Sequence, residues 1–102
     1  MRLSAHEVQV ILEEVGCLDF AAEVYLFGSR ARDDLKGGDI DLVVLSEKLK
    51  FSDKLTLLVK LKSRLGDQKI DVKIASRQFA GSDPFILSVM PGAQKLKVSI
   101  AD

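Results

Sequence analysis

Leu26-Phe27-Gly28-Ser29-Arg30-Ala31-Arg32, followed after a short linker by Gly37-Gly38-Asp39-Ile40-Asp41-Leu42, is the stretch whose reading decides the fold. Upstream of it, Glu23-Val24-Tyr25-Leu26-Phe27 is rich in β-forming residues and closes on Gly28-Ser29, which predicts a strand ending in a tight turn. The residues from 29 to 35 have room for about two helical turns. Gly37-Gly38 then breaks the chain before a second predicted strand, Asp39 to Leu45. With side chains alternating between faces, Asp39, Asp41 and Val43 point one way and Ile40, Leu42 and Val44 the other. Two carboxylates therefore share a face, with Cβ atoms expected roughly 6.5–7 Å apart.

Working outward, Ser4-Ala5-His6-Glu7 has the form of a capping box and precedes Val8, Ile11, Leu12 and Val15 at helical spacing. A first helix ending at Gly16 follows, with His6 on its surface and Cys17 expected as a small buried apolar residue. Between Ser52 and Leu65, apolar Leu55, Leu58, Val59 and Leu65 recur between lysines, and Gly66 supplies a stop; this predicts a second helix laid on the sheet. Lys69-Ile70-Asp71-Val72-Lys73-Ile74-Ala75 alternates with period two, so Ile70, Val72 and Ile74 face the core while Asp71 and Lys73 face away. Asp83-Pro84 reads as a cap and a first-turn proline opening a short helix through Phe85, Ile86, Leu87, Val89 and Met90. That cluster suits either a core helix or a partly exposed interface patch. Leu96, Val98 and Ile100 alternate with Lys95, Lys97 and Ser99 in a last strand, with lysines on an open edge. The fold class expected is α/β (α+β), a small mixed β-sheet flanked by helices.

The 102 residues fit one domain, 1–102, with 47% hydrophobic and 29% charged residues, as in a folded chain. Fifteen basic and fifteen acidic residues cancel, which removes the basis for an extended nucleic-acid surface. Apolar runs fall far short of the ~20 residues that span a bilayer, so no membrane association is expected. A single cysteine excludes an internal disulfide and fits a reducing, cytoplasmic location. A homo-oligomer is compatible with the sequence.

The chemistry follows from the oxygen ligands. Carboxylates crowded together repel one another, and a bound cation resolves the repulsion; oxygen-only ligation favours Mg2+ or Mn2+. Asp71 on a neighbouring strand would let a second ion sit about 3.5–4 Å from the first, the arrangement of in-line nucleotidyl displacement. Gly28 lets a phosphate approach the backbone, Ser29 adds a hydroxyl, and N–H groups opening the next turn point at an anion. Arg30 and Arg32 bring positive charge, but residues two apart on a helix diverge, so at most one reaches a nucleotide, with Arg30 favoured. Each feature is ordinary by itself: Asp-X-Asp can be a pair of solvated positions, and Gly-Ser turns are common. Their combination is far more specific.

That combination resembles the nucleotidyltransferases of the DNA polymerase β superfamily, with Phe27-Gly28-Ser29 and Asp39-Ile40-Asp41-Leu42 in the places of its signature. The chain looks most like the minimal nucleotidyltransferases, through Gly-Ser-Arg-Ala-Arg and the later Asp71. The resemblance implies a nucleotidyltransferase-like fold, two divalent ions held by Asp39, Asp41 and Asp71, and ATP or another NTP on the Gly28-Ser29 turn. It implies transfer of a nucleoside monophosphate, AMP from ATP, to a hydroxyl of a protein partner or small molecule. Many such proteins are paired with a small helical HEPN-type toxin and act as its antitoxin. The alternative is a non-catalytic antitoxin that binds nucleotide and works by occluding its partner. The family often has a glycine after the basic pair and a serine before the first Asp, where this chain has Asp33 and Gly38.

Overall fold

The structure, a computed structural model, describes residues 2–32 and 38–97. Helix α1 (Ala5–Leu18) opens with the expected capping box, in which Ser4 Oγ accepts from the Glu7 N–H and Glu7 Oε1 accepts from the Ser4 N–H. It runs past Gly16, contrary to expectation, because one interior glycine costs a helix only about 1 kcal/mol. It ends where the Asp19 N–H donates to the Val15 carbonyl. Cys17 is exposed rather than buried. It stands two turns beyond buried Val10 on nearly the same side of the helix, in the last turn before Leu18, so its exposure comes from its place along α1 rather than around it.

Strand β1 (Glu23–Phe27) occupies the predicted span and leads into a 3-10 turn, Gly28–Ala31, shorter than the two helical turns expected of this region. Strand β2 (Ile40–Leu45) begins just after Asp39. Helix α2 (Phe51–Leu65) follows, stopped at Gly66, whose φ of 83° is left-handed and suits a residue without Cβ. Strand β3 (Ile70–Ala75), helix α3 (Pro84–Val89) and a two-residue strand β4 (Gln94–Lys95) complete the described fold. Asp83 caps α3 as expected, its side chain accepting from the Phe85 and Ile86 N–H groups. The expected last strand is described only as β4 and the following buried Leu96; Val98, Ser99 and Ile100 lie outside the described residues, as does Asp33.

The sheet order is β3-β2-β1-β4. β1 runs antiparallel to both β2 and β4, while β2 and β3 are parallel, joined through α2. This is the mixed sheet flanked by helices that the alternation implied. Ile40, Leu42 and Val44 of β2 join Ile70 and Val72 of β3 against Val10 and Ile11 of α1 and Leu57 and Leu61 of α2. On the opposite face a smaller cluster forms from Val43, Leu45 and Ile86, with Tyr25, Phe27, Val89 and Met90 around it.

The face of α2 differs from expectation. Leu57 and Leu61 are fully buried, whereas Leu55 and Val59 are 50% and 69% exposed. The apolar residues of this helix form two stripes, and Leu57, Leu58, Leu61 and Leu65 make the one that meets the core. Helix α3 belongs to the core on one side only: Ile86 is buried, and Phe85 and Leu87 remain exposed. Among the described residues, no helix is long and apolar enough to cross a membrane.

Candidate active site

Because β2 and β3 are parallel and in register, Asp41 and Asp71 are paired neighbours on adjacent strands, with backbones about 4.8 Å apart. Asp41 also pairs with Phe27 of β1, so the chain leaves β1 into Gly28 directly beside it. Gly28 has φ 74°, and a Cβ built there would stand 2.6 Å from Asp41 Oδ2. The glycine is therefore required twice, by its backbone conformation and by the carboxylate that occupies the space a side chain would take. Gly28, Asp41 and Asp71 form one group.

Gly38 is required in the same way. Its φ is 95°, and a Cβ would fall 1.9 Å from Ser29 Oγ. A glycine in the place where the family often carries serine thus lets Ser29 pack against the segment that delivers Asp39 into β2. Asp39 is half-buried at the entrance to the strand.

Electrostatics tie the three carboxylates together. Burial, then the charge of Asp71, then that of Asp39, push the Asp41 carboxyl above the usual carboxylate range. Among the described residues, no group of three His, Cys, Asp or Glu side chains is already drawn together as a closed set of ion ligands. The donor chemistry nevertheless fits a hard divalent cation: only carboxylate oxygens are offered, and Asp41 carries a repulsion that a cation relieves.

Of the two arginines, Arg30 is engaged with protein groups. Arg30 donates from Nε to the Gly38 carbonyl at 3.2 Å, from Nη1 to the Arg2 carbonyl at 2.9 Å and from Nη2 to Gln68 Oε1 at 3.0 Å. All three nitrogens of its guanidinium hold protein groups. Arg32 follows the 3-10 turn as an exposed residue, and its carbonyl accepts from Arg2 Nε at 2.9 Å. Sequence reasoning missed the residues that complete this clamp. Arg2 also donates from Nη2 to the Ser29 carbonyl at 2.8 Å, and its backbone N–H donates to the Arg30 carbonyl. Gln68 Nε2 donates to Glu7 Oε2 at 3.0 Å and to the Leu65 carbonyl. Burial pushes Glu7 up, but hydrogen bonds from Ser4 and Gln68 and the nearby Arg30 charge outweigh it and leave the carboxyl below its usual range. The Gly28-Ser29 turn is thus tied to α1, α2 and the segment before β2.

In sequence, residues 8–89 match the nucleotidyltransferase domain family. The chain belongs to that family. Among solved structures, this nucleotidyltransferase domain is similar to the crystal structure of a toxin–antitoxin MntA-HpeT mutant, D39ED41E, at 22% identity and a TM-score of 0.64. The match covers 95% of this chain and 75% of the other. At that identity the likeness concerns the fold, and it extends over nearly the whole nucleotidyltransferase chain. No curated protein matches the chain in sequence.

Proposed function

We propose that the protein is a Mg2+-dependent nucleotidyltransferase that moves a nucleoside monophosphate, AMP from ATP, to a hydroxyl of a protein partner or small molecule. The observation that carries this reading is the pairing of Asp41 with Asp71 beside a glycine that can bear no side chain. Asp39, Asp41 and Asp71 would hold the divalent ions, which supply charge neutralisation at the phosphates when bound. Gly28 and Ser29 would seat the phosphates through backbone N–H groups and the Ser29 hydroxyl.

The acceptor oxygen attacks the α-phosphorus, the bond from that phosphorus to the oxygen bridging towards the β-phosphate breaks, and pyrophosphate leaves. Asp71, exposed on edge strand β3, would take the hydroxyl proton. Alignment supplies much of the rate in such reactions, so the clamp of Arg2, Arg30 and Gln68 serves by fixing the turn. Arg30 contributes to nucleotide binding in this way, by holding Gly38 and the turn. Arg32 remains a candidate for direct phosphate contact.

The solved neighbour's description as a toxin–antitoxin protein supports a place in a toxin–antitoxin pair; the small helical HEPN-type toxin as partner and the cytoplasmic location rest on the family resemblance alone. An apolar cavity of about 440 Å³ beside α3, lined by Leu45, Ile86, Leu87 and Met90 among others, favours a protein partner and keeps occlusion as the second reading. Mass spectrometry of a co-purified partner after incubation with ATP and Mg2+ tests both. A nucleotide-sized mass increase establishes transfer, and a stable complex with no mass change establishes occlusion.

A further inference from the structure

Beyond the carboxylates, the free edge of β3 carries a second charged feature. A cavity of about 270 Å³ is lined by Leu49, Lys50, Phe51, Lys54, Lys73 and Ile74. Three of these residues are lysines and none is acidic. Elsewhere the basic side chains that meet acids do so closely: Arg64 holds Glu13 and Glu14, and Arg77 and Lys95 hold Glu23. Among the described residues, no carboxylate lies within ion-pair distance of the Lys50, Lys54 or Lys73 ammonium groups. Lys54 and Lys73 rest instead near the rings of Phe51 and Phe85, at 5.9 and 5.8 Å from their centres.

A lining with three lysines and no carboxylate offers cationic donors to an anion. The backbone points the same way. β2 residues donate to the Lys69 carbonyl below and the Ala75 carbonyl above, so alternation turns the Ile74 N–H outward, to the free edge at this cavity. The cavity is large enough for a phosphate and a few attached atoms.

Its position gives it a use. Lys73 is two residues beyond Asp71 on the same face of β3, about 7 Å along the strand. We propose that this cavity seats a phosphate group carried by the acceptor, presenting the acceptor's hydroxyl towards Asp71. The binding of phosphate stands on the lysines themselves, and the acceptor role rests on the nucleotidyl-transfer reading.

The test titrates isotopically labelled protein with inorganic phosphate, without nucleotide, and follows backbone amides by NMR. Saturable shifts at Lys50, Phe51, Lys54, Lys73 and Ile74 are expected. In the K50Q/K54Q/K73Q variant, whose changes fall on two exposed positions and half-buried Lys54, the phosphate affinity falls at least tenfold while the spectrum stays folded. Shifts confined to Gly28 and Ser29, or an equal affinity in a folded variant, overturn the site. A second arm titrates ATP with Mg2+. Unchanged ATP affinity in the variant supports an acceptor seat, whereas an equal loss of ATP affinity reassigns the lysines to the triphosphate and overturns the acceptor role. Should ATP fail to bind at Gly28 and Ser29 while phosphate fills the cavity, the nucleotidyl-transfer reading falls and the phosphate site stands.

Discussion

The two faces of the sheet are made by the same four strands and do opposite work. One face is closed: Ile40, Leu42, Val44, Ile70 and Val72 disappear beneath α1 and α2. The other is covered only in part by the six-residue α3, which buries Val43 and Leu45 against Ile86 and leaves the row of Asp41 and Asp71 uncovered. The alternation that drives Ile40 and Leu42 inward is what sets Asp41 outward. A single register thus specifies core and site together, and a slip by one residue would exchange them.

Four substitutions separate the faces, in decreasing order of expected effect. Asp41→Asn should lower nucleotidyl transfer by ~1,000-fold, several kcal/mol of charge stabilisation being lost, measured as ATP-dependent labelling of the acceptor. It should also raise the melting temperature at pH 7. The folded pKa of Asp41 lies above its unfolded value, so its contribution is fully present below the ordinary value of 3.8 and is lost as pH rises through the folded pKa. The variant's advantage should therefore close in acid, and a melting temperature unchanged or lowered at pH 7 would count against the crowding of carboxylates.

On the closed face, Leu57→Ala should cost about 2–5 kcal/mol in denaturant unfolding, through lost burial and the cavity left behind. Nucleotide affinity of the remaining folded protein should change little. Gly38→Ser, which installs the serine often found in the family, should cost about 1–3 kcal/mol, since a left-handed residue would gain a Cβ against Ser29 Oγ. Its unfolding midpoint and its KM for ATP should both worsen. The smallest effect is expected from Leu87→Ser, 56% exposed on α3: less than about 0.5 kcal/mol in stability, read by thermal melting. If Leu87 contacts a partner, weaker complex formation is the readout that moves.

Sequence patterning made the sheet legible because period two leaves little freedom once glycines bound the strands. β1 begins and ends where Glu23-Val24-Tyr25-Leu26-Phe27 does, and Asp41 and Asp71 lie on the predicted face. The helices were less legible. Apolar residues at 55, 57, 58, 59, 61 and 65 outline two stripes, and only the sheet beneath α2 decides that Leu57 and Leu61 go in. Cys17 was misread for a different reason: its type favours burial, but it sits in the last turn of α1, two turns past buried Val10, where it is exposed. The surroundings of Arg30 were beyond reach, since its partners Arg2 and Gln68 are remote in the chain and meet it only when α1, α2 and the turn are assembled. An arginine beside a phosphate turn reads as a ligand until those partners are visible.

The parallel pairing of Asp41 with Asp71 also bears on how the protein comes into being. β1 and β2 are joined by a short connection and can meet early, whereas β3 reaches β2 only after the whole of α2 has been threaded between them. The carboxylates therefore come into apposition only once strands separated by the whole of α2 have paired. Folding intermediates that lack this ladder lack the carboxylate pair as well, so the proposed affinity for a divalent ion would develop only as β3 docks on β2.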